Sequence, residues 1–340
     1  MLRAVETSGA EMEEDEKSLA PEDDREGCGS ADMKYIIEPE NPLNVDLTLE
    51  SGQAFRWRKE GEVWVGVVRE KVCRVAQQGN VVTFTGFSME EFLEYFGLKQ
   101  DMREVVEESF RRPEVSHLPG LYRGLRILNQ EFYESLVSFM LATNTNIQRI
   151  KGMVEKLCGN FGRRIVDGGK TYFTFPGPEK LLECPGKLND CGLGFRRARI
   201  LELAEKILDG KLNLERIAGM DYAGARASLL AIKGVGEKVA DCVSLFSLHH
   251  YMAFPIDVHI KSWFRKQNYR ELECVNPELG RRQLKPGTYR ILGDFARKRF
   301  GRFAGYVQQY IFLDELLQSA RGKRPESTMQ LPARNAAGNP

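Results

Sequence analysis

The stretch Ile232–Cys242, which reads IKGVGEKVADC, indicates the fold of this chain more strongly than any other segment. Gly234 and Gly236 are separated by one residue, which predicts a tight hairpin between two helices because glycine adopts backbone angles that other residues avoid. The amides of such a hairpin can face a phosphate group, and Lys238 follows in the first turn of the second helix. The stretch therefore predicts a phosphate-binding hairpin with an amine beside it.

Lys238 is a candidate nucleophile. A lysine in water is almost entirely an ammonium ion at neutral pH, and an ammonium ion cannot attack carbon. The amino end of a helix carries about half a positive charge, so it disfavours an ammonium in its first turn, and partial burial acts in the same direction. Farther along the chain, the segment Pro255–His259 (PIDVH) supplies a carboxylate, Asp257. We therefore expect an activated amine with a carboxylate partner.

The hairpin, Lys238 and Asp257 together resemble the helix-hairpin-helix DNA glycosylases, which remove damaged or mispaired bases. In the bifunctional members of that superfamily the matching lysine attacks C1′ of the deoxyribose and displaces the base, and the resulting imine can also cleave the strand. The resemblance implies a catalytic Lys238 and an assisting Asp257. The DNA contacts that it implies in this region are Gly234, Gly236 and His259.

Two further segments, Ser51–Trp57 (SGQAFRW) and Ala304–Phe312 (AGYVQQYIF), narrow the resemblance to the 8-oxoguanine DNA glycosylases. In that family a glycine carbonyl accepts a hydrogen bond from the N7 proton that 8-oxoguanine has and guanine lacks. A glutamine and a phenylalanine four residues apart share one helix face, so an amide can meet the base edge while a ring stacks on its plane. The base-binding residues that the resemblance implies are Gly52, Cys242, Gln308 and Phe312.

The segments Leu141–Ile150 (LATNTNIQRI) and Gly192–Arg197 (GLGFRR) resemble the parts of these enzymes that open the duplex. A base must leave the stack before an enzyme can act on it, and a side chain must fill the gap. The resemblance implies that Asn144 fills the gap and that Arg149 reads the unpaired cytosine. It also implies a wedge at Phe195 and a contact of Arg196 with the opposite strand. Because Phe195 stands where tyrosine is frequent, we expect looser selectivity for cytosine.

The charge of the chain is unevenly distributed. The net charge is +1, but residues 1–32 contain eleven acidic and three basic residues, which leaves the rest at +9. A basic body suits a polyanionic partner, and damaged double-stranded DNA is the partner that we expect. Residues 1–32 lack the apolar region of a secretory signal, so we predict a disordered acidic tail there. We predict a second disordered tail over 319–340, where the sequence is polar.

Seven cysteines without a Cys-x-x-Cys pair indicate a reducing compartment, which is the cytoplasm with its nucleoid in a bacterium or the nucleus in a eukaryote. Only Cys274 lies beyond Asp257, so we expect no iron–sulfur cluster of the kind that related glycosylases carry. No cofactor and no catalytic metal are expected, although hairpin carbonyls could hold a monovalent cation. We expect a monomer. No membrane partner is expected either, since no apolar run reaches about 18 residues.

The hydrophobic pattern predicts an α+β fold. The apolar runs Gln53–Trp57, Val63–Val68, Val72–Ala76 and Val81–Phe84 are separated by turn residues, as in an antiparallel sheet over residues 33–125. Helical periodicity then dominates residues 126–318, with the helix-hairpin-helix at 225–249. We expect an amino-terminal sheet domain packed on a two-part, mostly helical core, with the active-site cleft between helical layers.

The combined expectation is a bifunctional DNA glycosylase and abasic-site lyase that excises 8-oxoguanine from duplex DNA through a lysine Schiff base. Two alternatives remain open at this stage. One is a glycosylase of the same superfamily for another damaged base. The other is a non-catalytic DNA-binding module that uses the hairpin only to hold phosphate.

Overall fold

A sheet of five strands opens the computed structural model, which describes residues 32–281 and 283–321. The strand order is β1-β5-β4-β3-β2, and every neighbouring pair is antiparallel. This arrangement confirms the predicted antiparallel sheet. The strands are β1 (Met33–Ile36), β2 (Arg58–Glu60), β3 (Val63–Val68), β4 (Lys71–Gln78) and β5 (Val81–Thr85).

Helices supply most of the remaining described residues, which confirms the α+β class. A small hairpin of β6 (Arg164–Asp167) and β7 (Lys170–Phe173) interrupts them. The first helices are α1 (Val45–Glu50), α2 (Met89–Tyr95), α3 (Met102–Ser109), α4 (Leu118–Leu121), α5 (Phe132–Leu141), α6 (Ile147–Phe161) and α7 (Pro178–Glu183). They are followed by α8 (Arg197–Leu208), α9 (Leu214–Ala218), α10 (Tyr222–Leu230), α11 (Glu237–Ser247), α12 (Val258–Gln267), α13 (Pro286–Phe300) and α14 (Ala304–Arg321).

One face of the five-stranded sheet is apolar and packs against α2. Val75 on β4 and Val82 and Phe84 on β5 are buried, whereas their neighbours along each strand are more exposed, as the two-residue period of a strand requires. The ring of Phe84 stacks on Phe92 of α2 with 4.0 Å between centroids. Ser88 caps α2, because its hydroxyl oxygen accepts the Glu91 amide and its own amide donates to the Glu91 carboxylate.

The predicted strand Gln53–Trp57 is wrong. These residues form bends, and Gly52 before them has a φ of 76°, which lies outside the strand region. The Gln53 side chain is fully buried and bonds to backbone atoms of Arg126 and Leu128 at 2.7 and 2.8 Å. These bonds to a distant segment, which a local pattern does not reveal, hold the chain in a turn.

The helical faces follow the predictions except in α8. Leu136 and Met140 of α5 and Leu157 of α6 are buried, as expected. In α8 the buried face is centred on Ile200, Leu203 and Ala204, whereas Leu208, whose four-residue spacing from Ala204 predicts the same apolar face, is 51% exposed. Leu208 therefore lies outside the core, whereas Ile207 in the same turn packs against it.

The predicted helix-hairpin-helix is α10, a turn and α11. Asp221 caps α10 as predicted by accepting the Gly224 amide at 2.8 Å. α11 packs against both α10 and α5, and α12 packs against α14. The core that joins these helices lies behind the amino end of α11. This packing brings the ends of α11 and α12 toward the face of α14.

The predicted tails lie almost entirely outside the described residues, because residues 1–31 and 322–340 are not described. α14 continues to Arg321, beyond the predicted helix end at Leu317 and into the predicted second tail. The boundary between 33–125 and 126–318 stays a prediction. Within residues 32–281 and 283–321, no helix combines the length and the apolar character that crossing a bilayer requires.

Candidate active site

Lys238 lies in the first turn of α11, directly after the turn that Gly236 ends. Its side chain is half-buried, and its Nζ lies 5.8 Å from the centre of the Phe139 ring on α5. A ring face attracts a cation, so the Phe139 ring helps to hold the Lys238 side chain in place. Lys238 makes no ion pair with a described residue. The amine is therefore not committed to a carboxylate.

Asp257 begins α12 and caps it. Its Oδ1 accepts the amides of His259 at 2.9 Å and Ile260 at 3.0 Å. These two amide donors fix the side chain of Asp257 at the amino end of the helix. Asp257 is half-exposed, so its side chain remains accessible from the surface.

Cys242 connects these two residues, because its thiol responds to both charges. Burial raises the pKa of the Cys242 thiol to about 12; the charge of Lys238 opposes this rise, and the charges of Asp241 and Asp257 add to it. Cys242 is one helical turn after Lys238 and is 3% exposed. Lys238, Cys242 and Asp257, which were predicted from separate segments, thus surround one region of the molecule.

Gly52 lies against Phe312 at the other side of this region. A Cβ added at Gly52 would stand 3.3 Å from Cε1 of Phe312 and 3.1 Å from Cδ1 of Ile147. The turn before Gly52 is held to α14, since Nε2 of Gln309 donates to the Ser51 carbonyl at 2.8 Å. Gly52 is therefore a turn residue packed between α6 and α14.

Gln308 and Phe312 are four residues apart on α14, so they share one face of that helix. Gln308 is 3% exposed, and its Oε1 is buried without a hydrogen-bond partner among the described residues. A buried acceptor without a partner is costly, so it marks a place where a ligand can donate. The ring of His259 meets Phe312 edge-on with 5.4 Å between centroids. Phe312 thus contacts both Gly52 and His259, and Gln308 lies one turn before Phe312 on the same helix; their roles in base binding stay a prediction.

Comparison with known proteins agrees with this geometry. Residues 35–136 match the family model for the amino-terminal domain of 8-oxoguanine DNA glycosylases. A probable N-glycosylase/DNA lyase of Methanothermobacter thermautotrophicus is 30% identical over 81% of this chain and 94% of its own length. The N-glycosylase/DNA lyase of Saccharomyces cerevisiae is 28% identical over 79% of this chain and 82% of its length.

A solved structure agrees as well. The 8-oxoguanine glycosylase/lyase of Clostridium acetobutylicum, in complex with double-stranded DNA containing cytosine opposite 8-oxoguanine, superposes with a TM-score of 0.73. It is 30% identical, and the match covers 82% of this chain and 93% of that one. The chain belongs to the 8-oxoguanine DNA glycosylase/lyase family. The resemblance and the enzyme class predicted from sequence are confirmed, and neither a non-catalytic module nor a different lesion is favoured.

Asn144 lies on the loop between α5 and α6 of this glycosylase/lyase. It is exposed and has a φ of 54°, a left-handed angle that asparagine tolerates better than most residues. Its Oδ1 accepts from Nε2 of Gln283 at 3.4 Å, and Asn146 rather than Asn144 caps α6. Arg149 is exposed in the first turn of α6. The role of each residue in DNA binding stays a prediction.

Phe195 and Arg196 differ sharply in exposure. The Phe195 ring is 66% exposed, whereas Arg196 is 8% exposed and stacks on that ring at 4.5 Å. The Arg196 guanidinium donates to the carbonyls of Leu193 and Thr143, so it holds the Phe195 segment against the loop of Asn144. In this structure Arg196 links two loops through its hydrogen bonds. Its expected contact with the opposite DNA strand stays a prediction.

The hairpin has the geometry that its glycines predict. Gly234 has a φ of 98°, a value that favours glycine, and the Val235 amide closes the turn onto the Ile232 carbonyl at 3.0 Å. Gly234 and Gly236 are exposed. Lys233, where related hairpins often have proline, pairs with Glu202 at 3.2 Å. The outer surface of the turn is thus open to a partner.

Sequence reasoning missed several residues that build the pocket. Phe139 and Ile147 fit the apolar periodicity of their helices and so do not stand out in the sequence, although Phe139 lies beside Lys238 and Ile147 beside Gly52. The available signal for two others was adjacency, because Gln53 follows Gly52 and Gln309 follows Gln308. Polar residues that flank a predicted site residue in a buried segment are candidates for its support.

Proposed function

We propose that this glycosylase/lyase excises 8-oxoguanine from duplex DNA and then cleaves the strand at the abasic site through a Schiff base on Lys238. The observation that carries this proposal is the convergence of Lys238, Cys242 and Asp257 beside a pocket with one unpaired acceptor. That acceptor is Oε1 of Gln308. Family membership and the pocket geometry point to the same chemistry.

In the proposed reaction, the neutral amine of Lys238 attacks C1′ while the bond from C1′ to the base breaks and its electron pair leaves with the base. The carboxylate of Asp257 stabilises the positive charge that develops on the sugar. Loss of a proton from nitrogen and opening of the sugar ring then give an imine. Removal of a proton from C2′ expels the 3′ phosphate, which cleaves the strand.

The proposed base pocket reads the lesion by two features. The Gly52 carbonyl accepts the N7 proton of 8-oxoguanine, and the amide of Gln308 meets the Watson–Crick edge. Phe312 and Cys242 lie on opposite faces of the base. Guanine lacks the N7 proton and would leave the Gly52 carbonyl without a donor. An unmade hydrogen bond of this kind costs about 1–3 kcal/mol, so the pocket disfavours guanine.

The proposed DNA contacts surround this pocket. Asn144 fills the gap left by the extruded base, and Arg149 and Phe195 engage the unpaired cytosine and its stack. Three exposed or half-exposed sites support these roles, since Asn144, Arg149 and Phe195 all reach the surface. The remaining proposed contacts are Arg196, His259 and the hairpin glycines Gly234 and Gly236.

The proposed setting is a monomer in a reducing compartment. The six cysteines among the described residues are all unpaired, as a reducing environment leaves them. We infer no cofactor for the reaction itself, because the amine and the carboxylate supply its chemistry. A monovalent cation held by the hairpin carbonyls would assist DNA binding rather than base release.

Borohydride reduction tests the Schiff base. Lys238→Gln should keep affinity for a duplex with an abasic-site analogue but lose base release and the covalent adduct trapped by borohydride. Lys233→Gln is the matched control, because Lys233 lies on the same hairpin and pairs with Glu202. It should retain both activities. An adduct that persists in Lys238→Gln would falsify the assignment.

A panel of duplexes tests the substrate. Excision is measured with 8-oxoguanine opposite each of the four bases, and with other single lesions opposite cytosine. The proposal expects 8-oxoguanine opposite cytosine to react fastest. Phe195→Tyr should increase the preference for cytosine, and a faster reaction with an alkylated purine would overturn the substrate assignment.

A further inference from the structure

Asp241 is a fully buried carboxylate that no step of the proposed reaction uses. It lies on α11, three residues after Lys238 and one before Cys242. Its Oδ1 accepts from Oη of Tyr222 at 2.8 Å and from Nε of Arg226 at 2.7 Å. A buried carboxylate costs several kcal/mol unless it is paired and hydrogen-bonded, so this arrangement calls for a reason.

The second carboxylate oxygen of Asp241 is connected by hydrogen bonds to the residue before Asp257. Oδ2 of Asp241 accepts from the hydroxyl of Tyr289 at 2.9 Å, and the same hydroxyl accepts the amide of Ile256 at 3.0 Å. Ile256 directly precedes Asp257, and both Tyr289 and Ile256 are buried. Two hydrogen bonds therefore join the helix of Lys238 to the residue before Asp257.

Arg226 connects the same carboxylate to the first turn of α11. Its guanidinium donates to Glu237 as well as to Asp241, and these two acids are four residues apart on one helix face. Burial alone would lower the pKa of the Arg226 guanidinium, but its contact with Asp241 raises that pKa above its usual value. The ion pairs of Arg226 thus join α10 to α11 and restrict rotation of α11 about its axis. Lys238 directly follows Glu237, so its direction depends on that rotation.

We propose that Tyr222, Arg226, Asp241 and Tyr289, which we call the Asp241 network, position Asp257 relative to Lys238. The inference rests on the proposed roles of those two residues. None of the four is a catalytic residue in this proposal, because each acts through the backbone of Asp257 or the rotation of α11. A displacement of about 1 Å between reacting groups lowers a rate by roughly 100-fold, so such a network affects chemistry without touching DNA.

Tyr289→Phe tests the network by removing one hydroxyl. The single-turnover rate of 8-oxoguanine release should fall about 10-fold or more, because Ile256 loses its acceptor and Asp257 shifts. Affinity for a duplex with a tetrahydrofuran abasic-site analogue should stay within about threefold, because no DNA contact is removed. A base-release rate within about twofold of the parent would overturn the proposal.

Tyr95→Phe is the matched control. The Tyr95 hydroxyl accepts the buried indole N–H of Trp57 at 2.7 Å, so this variant also leaves one buried donor without its phenol. It lies on α2 in the sheet domain and should lower the melting temperature by a similar amount while base release stays near the parent rate. An equal loss of base release in both variants would overturn the positioning role.

A double-mutant cycle separates positioning from general destabilisation. In the background of Asp257→Asn, Tyr289→Phe should change the rate by less than about twofold, because the carboxylate that it positions is already absent. A further fall equal to that of the single variant would overturn the proposal. If Asp257→Asn alone keeps the parent rate, the proposed role of Asp257 fails, and the network has nothing to position.

Arg226→Lys provides the second variant if Tyr289→Phe does not fold. It keeps the positive charge but loses the planar fork that reaches both Glu237 and Asp241. The network predicts that base release falls at least about threefold at unchanged affinity for the abasic duplex. Parent-like release in this variant would overturn the role of Arg226 and with it the proposed network.

Discussion

Gly52 lies so close to the ring of Phe312 that a single added carbon would stand 3.3 Å from Cε1. Gly52 also has a φ of 76°, which L side chains rarely adopt. Two separate constraints therefore require glycine at this position. One is the local backbone, and the other is the space shared with a residue that is 260 positions farther along the chain.

Gly52→Ala should affect base excision more than strand cleavage. The left-handed angle costs about 1–2 kcal/mol for a residue with a Cβ, and the methyl group displaces Phe312. We expect 8-oxoguanine release to fall by about 10-fold or more, whereas cleavage of a preformed abasic site, which places no base in the pocket, falls less. Both rates are measured on matched duplexes.

Gly61→Ala is the control for backbone strain. Gly61 has a φ of 61° in the turn between β2 and β3, and a Cβ there meets nothing within 4 Å. It should show a similar loss of stability without the selective loss of base excision. Equal losses of excision in Gly52→Ala and Gly61→Ala would contradict the assigned contact.

Gln308→Leu should maintain or increase the stability of the protein while it lowers activity. The buried Oε1 of Gln308 has no partner among the described residues, so its removal relieves a cost of up to about 1–3 kcal/mol. The neighbour Gln309 donates to the Ser51 carbonyl at 2.8 Å, so Gln309→Leu should destabilise by a similar amount. Urea unfolding measures both changes, and equal destabilisation by the two variants would refute the prediction.

Arg56 and Glu134 form a pair whose members depend on each other. Nη1 of Arg56 lies 3.0 Å from Oε2 of Glu134, and both side chains are largely buried. Arg56→Met should destabilise by about 3–5 kcal/mol because it leaves Glu134 buried without a cation, whereas adding Glu134→Leu should restore part of the loss. Urea unfolding of Arg56→Met, Glu134→Leu and the double variant gives the coupling energy between the two residues. A coupling energy of zero, which means that the two effects simply add, would contradict the prediction.

The same pair predicts a pH dependence. Burial raises the pKa of the Glu134 carboxyl, and Arg56 opposes that rise. A raised folded-state pKa contributes stability that is present at low pH and is lost as the pH rises through that pKa. Without Arg56 the rise is larger, so Arg56→Met should lose more stability relative to the parent at pH 7 than at pH 5. A loss that does not change with pH would contradict this cause.

Burial of the Cys242 thiol should make the protein less stable at alkaline pH. Burial raises the pKa of its thiol from 9.0 to about 12, so the folded protein disfavours the thiolate that the unfolded chain forms. This contribution is complete below pH 9 and is lost between pH 9 and about 12. Between pH 8 and 10 the loss should be about 1 kcal/mol larger in the parent than in Cys242→Ala, as measured by urea unfolding. Identical pH profiles would refute it.

Segments that depend on neighbouring residues were predicted correctly. The strands Val63–Val68 and Val81–Phe84 follow from alternation, and the caps Ser88 and Asp221 follow from side chains that bond a few residues away. The hairpin at Gly234 likewise follows from the backbone freedom of glycine. In each case the residues that decide the structure are close together in the sequence.

The errors arose where distant contacts override a local pattern. Gln53–Trp57 has the composition of a strand, yet bonds from Gln53 to Arg126 and Leu128 hold it in a turn. A distant contact also determines the burial of Arg196, because its guanidinium donates to the Thr143 carbonyl; the expected contact of Arg196 with DNA stays a prediction. Hydrogen bonds of this kind join residues that are 50 or more positions apart, so no local window contains both partners.

The amino-acid order alone was enough to identify the family, the hairpin and the candidate pair Lys238 and Asp257, because these depend on residue types in short segments. Folding decided how the segments meet, since the Gly52 turn reaches Phe312 only when α14 packs across the sheet domain. It also decided that Asp241, a polar residue between Lys238 and Cys242, is buried among three donors. Those donors come from α10 and α13, and only tertiary packing brings such distant side chains around one carboxylate.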